Sequence, residues 1–182
     1  MRIAPRARKA GLTIHVCTSV GWFGAVIVYF ALGAAAAFGG SEVLTAAAYL
    51  VMDWAAWTVL VPLALASLAT GIAQAVTTPW GLMQHYWVTI KLIITLIATV
   101  VLIAYTPTLN GLAEVAARVP LAQGDLQALR SPTVLVDTTG ALLLLLAATV
   151  LAIYKPAGLT RHGQRTRLNR ETRNHTTRLG ID

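Results

Sequence analysis

The sequence predicts an all-α protein, a four-helix transmembrane bundle with its N- and C-termini in the cytoplasm. Hydrophobic residues make up 57% of the chain and charged residues only 12%, whereas a soluble domain carries about 25% charged residues. Four continuous apolar runs have the length that crosses roughly 30 Å of hydrocarbon at about 1.5 Å per helical residue. These predicted spans cover residues 11–32, 54–76, 86–105 and 136–154.

The distribution of positive charge predicts the orientation. The net charge is +7, and the basic residues concentrate in the arm 1–10 and in the tail 156–182, which is polar and rich in arginine. Under the positive-inside rule both termini are then cytoplasmic, which requires an even number of spans. Because these residues flank spans, we expect them to contact the lipid bilayer and its anionic headgroups, and not nucleic acid.

The first span carries His15 and Trp22 on one helical face. Together with the basic arm it resembles a signal peptide, but a run of this length favours an uncleaved first span. Cys17 is the single cysteine, so an internal disulfide is excluded. Gly33–Asp53 follows as an expected external loop, and Asp53 is expected to cap the second span.

The second span places polar side chains on one face, namely Ser67, Thr70 and Gln74. We interpret this face mainly as a source of interhelical hydrogen bonds. The alternative is one polar wall of a cavity open to the cytoplasm, as a small transporter would need.

A short cytoplasmic turn containing Trp80 leads into the third span, which begins with His85 and Tyr86. Lys91 lies inside that span. Its ammonium either snorkels back to the membrane surface past Trp87 or binds an anion. The third span is expected to end near Thr106–Pro107.

The expected external loop Thr106–Leu135 contains two segments that could form short amphipathic helices, Asn110–Arg118 and Asp125–Arg130. The fourth span is expected to begin after Asp137 and to end at Tyr154 and Lys155.

One constellation has chemical content. Spans 1 and 3 run in the same direction, so His15 and His85 should lie at similar depth on the cytoplasmic side. Two histidines from different helices of a bundle are what axial ligation of b-type haem requires. The ligand- or haem-binding candidates are His15, His85, Trp22, Trp80, Tyr86, Lys91, Tyr154 and Lys155. No catalytic motif and no metal site are expected.

The segments TTPWGLMQHYWVTIK, YKPAGLTRHG and IHVCTSVGWFGA resemble an uncharacterised family of small four-span bacterial integral membrane proteins. The likeness covers about residues 11–160. More loosely, a histidine near the start of span 1 followed by Gly-Trp is similar to membrane domains linked to copper resistance. The resemblance implies a four-helix inner-membrane protein and brings no catalytic residues.

The favoured function is a non-enzymatic membrane protein that binds a partner or small ligand through the aromatic, His and Lys cluster on the cytoplasmic side. The alternatives are a b-haem redox protein that uses His15 and His85, and a small transporter. A membrane-protein partner or a homo-oligomer is a further expectation. The preference for arginine over lysine favours a bacterium with a GC-rich genome, and hence the plasma membrane.

Overall fold

The computed structural model describes residues 5–77, 85–118 and 120–154, together with Gly158, Thr160 and Gln164. Within these residues the protein is helical and contains no strands, as predicted. The helices are α1 (Pro5–Phe38), α2 (Glu42–Ala55), α3 (Val61–Thr77), α4 (Tyr86–Ala116), α5 (Gln123–Leu129) and α6 (Thr133–Tyr154). A π-helical turn, Ala56–Leu60, joins α2 to α3.

Four helical segments are long and apolar enough to cross a membrane, as the sequence predicts. They cover Arg6–Phe38, Glu42–Val76, Tyr86–Ala116 and Gln123–Tyr154. The first and third segments are the single helices α1 and α4. The second combines α2, the π-helical turn and α3, and the fourth combines α5 and α6. Many large apolar side chains on these segments are exposed on the outside of the bundle, where a lipid-facing surface is expected to be apolar.

The four segments pack as a ring in chain order. The first contacts the second through α2 and α3, the second contacts α4, α4 contacts α6, and α6 contacts α1. The first and third segments therefore lie diagonally across the bundle. An even number of crossings brings the start of α1, the end of α3, the start of α4 and the end of α6 to one end, here named the His15 end. The opposite end is named the Tyr105 end.

The prediction that Gly33–Asp53 forms a loop is wrong, because most of these residues belong to α1 and α2. Only Gly39, Gly40 and Ser41 separate α1 from α2. Gly40 has a φ of 71°, which a side-chain-bearing residue rarely adopts. The N-cap is Ser41, whose hydroxyl accepts a hydrogen bond from the backbone N–H of Leu44. Asp53 lies inside α2 and caps nothing.

The expected end of the third span at Pro107 is also wrong, because α4 continues to Ala116. A proline lacks the N–H that would bond to the carbonyl four residues earlier, which here belongs to Ile103. The Thr106 hydroxyl donates to that same carbonyl at 2.8 Å. The freed acceptor is thereby satisfied, and the helix passes through the proline.

The predicted segment Asn110–Arg118 is consequently the end of α4 and not a separate helix. The prediction of a short helix at Asp125–Arg130 is confirmed, since α5 covers Gln123–Leu129. Helix α6 begins at Thr133, so Asp137 lies within its first turns and not before it.

Pro62 in the second segment is accommodated by the π-helical turn that precedes it. The N–H of Val61 donates to the carbonyl of Ala56, five residues earlier. This wider turn lets the helix continue across the proline without a break. The second segment is therefore helical without a break from Glu42 to Val76, and its polar face lies at the His15 end.

Candidate functional site

The polar face of the second segment meets the polar face of α1 at the His15 end. The Nδ1 of His15 lies 3.0 Å from the hydroxyl oxygen of Thr70, and that hydroxyl donates its single proton to the Ala66 carbonyl at 2.6 Å. With the Thr70 hydroxyl bonded to a backbone carbonyl, at Ala66 or at Ser67, a ring proton on Nδ1 matches the Thr70 contact. In this tautomer the lone pair of Nε2 is the acceptor of the ring.

Lys91 reaches that lone pair from across the bundle. Its Nζ lies 3.3 Å from the Nε2 of His15, so the ammonium donates to a neutral imidazole. Because α1 and α4 are diagonal partners, this contact crosses the bundle centre. The snorkelling interpretation, in which Lys91 returns to the membrane surface past Trp87, does not match this geometry.

Two further hydrogen bonds join α1 to α3 beside this pair. The hydroxyls of Ser19 and Ser67 are 2.8 Å apart, and the side-chain amide of Gln74 donates to the Gly11 carbonyl at 2.9 Å. With Thr70, all three residues of the predicted polar face bond to α1. The interhelical interpretation of that face is confirmed.

Gly71 lets the histidine ring approach α3. A Cβ added at Gly71 would lie 3.1 Å from Cε1 of His15, which is tighter than ordinary van der Waals contact, and 3.7 Å from its Nδ1. Sequence reasoning did not identify Gly71 as the residue that the histidine ring packs against. The signal was the adjacent pair Thr70-Gly71, a hydrogen-bond partner next to the one residue without a side chain.

The charges around the cluster are all of one sign. Among the described residues, the basic side chains at the His15 end are Arg6, Arg8, Lys9 and Lys91, whereas the acidic side chains all lie towards the Tyr105 end, namely Glu42, Asp53, Glu114, Asp125 and Asp137. Within that part of the chain Lys91 therefore has no carboxylate partner. A cation that is partly removed from water, and whose hydrogen bond to a described residue is to a neutral ring, favours an anion beside it.

Three further predicted site residues lie at this end among the described residues, namely His85, Tyr86 and Tyr154. His85 is the N-cap residue of α4, and its ring centroid lies 6.5 Å from that of Trp87, at 42° to it. Tyr86 and Tyr154 are exposed at the same end. Trp80 and Lys155 lie outside the described residues.

Trp22 is buried, but it lies apart from the Lys91–His15 pair. It lies two helical turns beyond His15 and lines an apolar cavity of about 320 Å³ that extends towards the Tyr105 end between α1, α4 and α6. Sequence reasoning missed this cavity, because its walls are mostly apolar and small residues from segments that are distant in the chain.

The arrangement constrains haem ligation. Iron coordination by His15 needs a free ring nitrogen, whereas one nitrogen is bonded to Thr70 and the other to Lys91. Lys91 therefore occupies the side of His15 where an iron would bind. The second proposed ligand, His85, is the N-cap residue of α4. Across the described ranges, no group of three or more His, Cys, Asp or Glu side chains is placed to hold a metal ion.

Comparison of the chain with protein-family models, with curated proteins and with solved structures gives no match.

Proposed function

We propose that the protein is a non-enzymatic, multi-pass protein of the bacterial plasma membrane that binds an anionic group at the Lys91–His15 pair. The observation that supports this best is the 3.3 Å contact between Lys91 Nζ and His15 Nε2. An ammonium has three N–H donors, and this contact uses one. The other two are available to a phosphate or carboxylate oxygen.

The surroundings of the pair support an anion over a cation or a neutral ligand. Arg6, Arg8 and Lys9 are exposed on the first turns of α1, at the same end of the bundle. Positive side chains that line one approach raise the local concentration of anions. The neutral ring of His15 positions the ammonium without cancelling its charge.

The same charges support a cytoplasmic His15 end, by the positive-inside rule. In this orientation His85, Tyr86 and Tyr154 lie at the cytoplasmic end with the site, and we expect the Arg-rich tail to contact anionic headgroups. The resemblance to small four-span bacterial membrane proteins agrees with this architecture and adds no ligand.

The test is anion binding by purified protein in nanodiscs of phosphatidylcholine, which present no net negative charge. Inorganic phosphate is titrated at constant ionic strength, and retention of added phosphatidylglycerol is measured in parallel by native mass spectrometry. The first arm reports a soluble anion and the second a lipid headgroup. Lys91→Gln should weaken binding in the responsive arm by about tenfold or more, since a hydrogen bond to a charged group contributes about 1.5–3 kcal/mol.

Two control variants separate the site from general charge. Lys91→Arg keeps the charge and should retain most of the binding. Lys9→Gln removes a positive charge from the exposed part of α1 and should change binding much less than Lys91→Gln. Equal losses in Lys9→Gln and Lys91→Gln would reduce the effect to surface electrostatics and refute the proposal.

The two alternatives make different predictions. A b-haem protein would show a Soret band that disappears when His15→Ala and His85→Ala are combined. A transporter would need a polar path, but Ser67, Thr70 and Gln74 bond to α1, and the space beyond them is apolar. Neither alternative gains support from the geometry.

A further inference from the structure

The cavity near Trp22 is long and narrow. Its walls run along α4 from Ala98 to Leu109, a distance of about 16 Å at 1.5 Å per residue. A volume of about 320 Å³ spread over that length corresponds on average to the cross-section of one extended hydrocarbon chain. The shape therefore favours a single extended chain over a compact ligand.

The cavity is reached from the lipid-facing surface. Val101 and Val136 line it and are also 58% and 67% exposed on the outside of the bundle. Leu144 lines it and is exposed as well. These residues belong to α4 and α6, so the opening lies between these two helices. A molecule that enters there comes from the bilayer and not from water.

Two polar groups lie in the wall near the Tyr105 end. The Tyr105 hydroxyl is buried, and the neighbouring Asp137 carboxylate is the hydrogen-bond acceptor within its reach. The hydroxyls of Tyr29 and Tyr49 donate instead to backbone carbonyls, of Met52 and Leu129 respectively. Tyr105 thus differs from these two tyrosines, because its hydroxyl faces a side-chain carboxylate and not a backbone carbonyl.

The Asp137 carboxylate and the Tyr105 hydroxyl determine which polar group of a bound amphiphile could lie beside them. An ionised carboxylate only accepts hydrogen bonds, and a phenol oxygen accepts as well as donates. No described cation pairs with Asp137, since Arg118 and Arg130 form no ion pair there. A head that donates hydrogen bonds, through a hydroxyl or an ammonium, would satisfy both groups. An anionic head would be repelled.

We propose that this cavity binds one hydrocarbon chain of a membrane amphiphile, with a hydroxyl or ammonium group of its head bonded to Asp137 and Tyr105. The chain then extends towards Trp22, deep in the bundle. This site is separate from the Lys91–His15 pair, and each can exist without the other.

The experiment uses three photoreactive probes in nanodiscs, each with the same twelve-carbon chain and a diazirine near its end. The heads are a hydroxyl, an ammonium and a carboxylate. After irradiation, labelled residues are mapped by mass spectrometry. The proposal expects saturable labelling of the cavity wall, for example at Trp22 or Leu144, by the hydroxyl or ammonium probe. The stronger of these two probes identifies the source of the donor, a lipid alcohol or an amine-bearing lipid.

Two variants test the two parts of the proposal. Gly140 lines the cavity, and a Cβ there meets no atom within 4 Å, so the larger side chain of Gly140→Leu should occupy the cavity and abolish labelling. Gly111→Leu is the matched control, since Gly111 also has no atom within 4 Å of its Cβ and does not line the cavity. Asp137 is exposed, so Asp137→Asn should fold normally and weaken ammonium labelling about tenfold or more.

Three results would overturn the proposal. The first is labelling in Gly140→Leu equal to that in the unmodified protein. The second is labelling spread over the outer helix surfaces and not saturable. The third is a carboxylate probe that labels the cavity as strongly as the other two, which would remove the role of Asp137 and Tyr105.

Discussion

Gly71 sets the position of the His15 ring, so replacing this glycine tests how tightly the cluster is packed. The nearest ring atom, Cε1, would lie 3.1 Å from a new Cβ. An alanine methyl requires the ring to shift by a few tenths of an ångström. Valine adds two more methyl groups, and the ring then moves away from both Thr70 and Lys91.

The expected loss of stability follows from these contacts. Interhelical hydrogen bonds in membrane proteins contribute about 0.6 kcal/mol each on average, and overpacking a well-filled site costs about 1–3 kcal/mol. Gly71→Val breaks two such bonds and overpacks the ring. The free energy of unfolding should therefore fall by about 2–4 kcal/mol, and Gly71→Ala should lose clearly less.

The assay is unfolding in mixed micelles as the mole fraction of dodecyl sulfate is raised, followed by circular dichroism. Gly24→Val is the matched control, because it makes the same change of residue within a span and a Cβ at Gly24 meets no atom within 4 Å. Imidazole ¹⁵N chemical shifts report the His15 ring directly. If Gly71→Val matched Gly24→Val in stability and left the His15 shifts unchanged, the packing argument would be refuted.

Three further predictions concern helix α4, helix α5 and the orientation of the protein in the membrane. Thr106→Val should destabilise the protein by about 1–3 kcal/mol by leaving a carbonyl unpaired, and Pro107→Ala in the same chain should restore most of the loss, measured by the same unfolding assay. Tyr49→Phe leaves the Leu129 carbonyl, now bonded at 2.7 Å, without its donor, so hydrogen exchange in α5 should accelerate while exchange in α4 stays unchanged. A periplasm-active reporter fused after Arg161 should be silent, and activity there would contradict the cytoplasmic orientation.

The number and type of the membrane segments could be predicted from sequence because they depend on composition over twenty residues. Their ends could not, because single hydrogen bonds decide them. Pro107 has the usual features of a helix end, and only the position of the Thr106 hydroxyl over the freed carbonyl shows that the helix continues. Asp53 similarly has the character of a cap, but the residue that caps is Ser41, twelve positions earlier.

The candidate site could be predicted in part. His15, Lys91 and the Ser67–Gln74 face were each identified from a polar group inside an apolar run, which is costly unless it is paired. The pairing itself depends on which helices are diagonal and on the rotation of each helix, and a single sequence carries neither. The cavity near Trp22 could not be predicted, because the residues that line it are of the same types as those that fill a packed helix interface.

The central claim is that an anion binds at the Lys91 ammonium beside a neutral His15. The most direct measurement is ¹⁵N NMR of protein labelled at lysine and histidine, in phosphatidylcholine nanodiscs, during a phosphate titration at constant ionic strength. The account predicts that the Lys91 Nζ and His15 Nε2 signals move together and saturate. Signals that move only at Lys9, or only in proportion to phosphate without saturation, would contradict it.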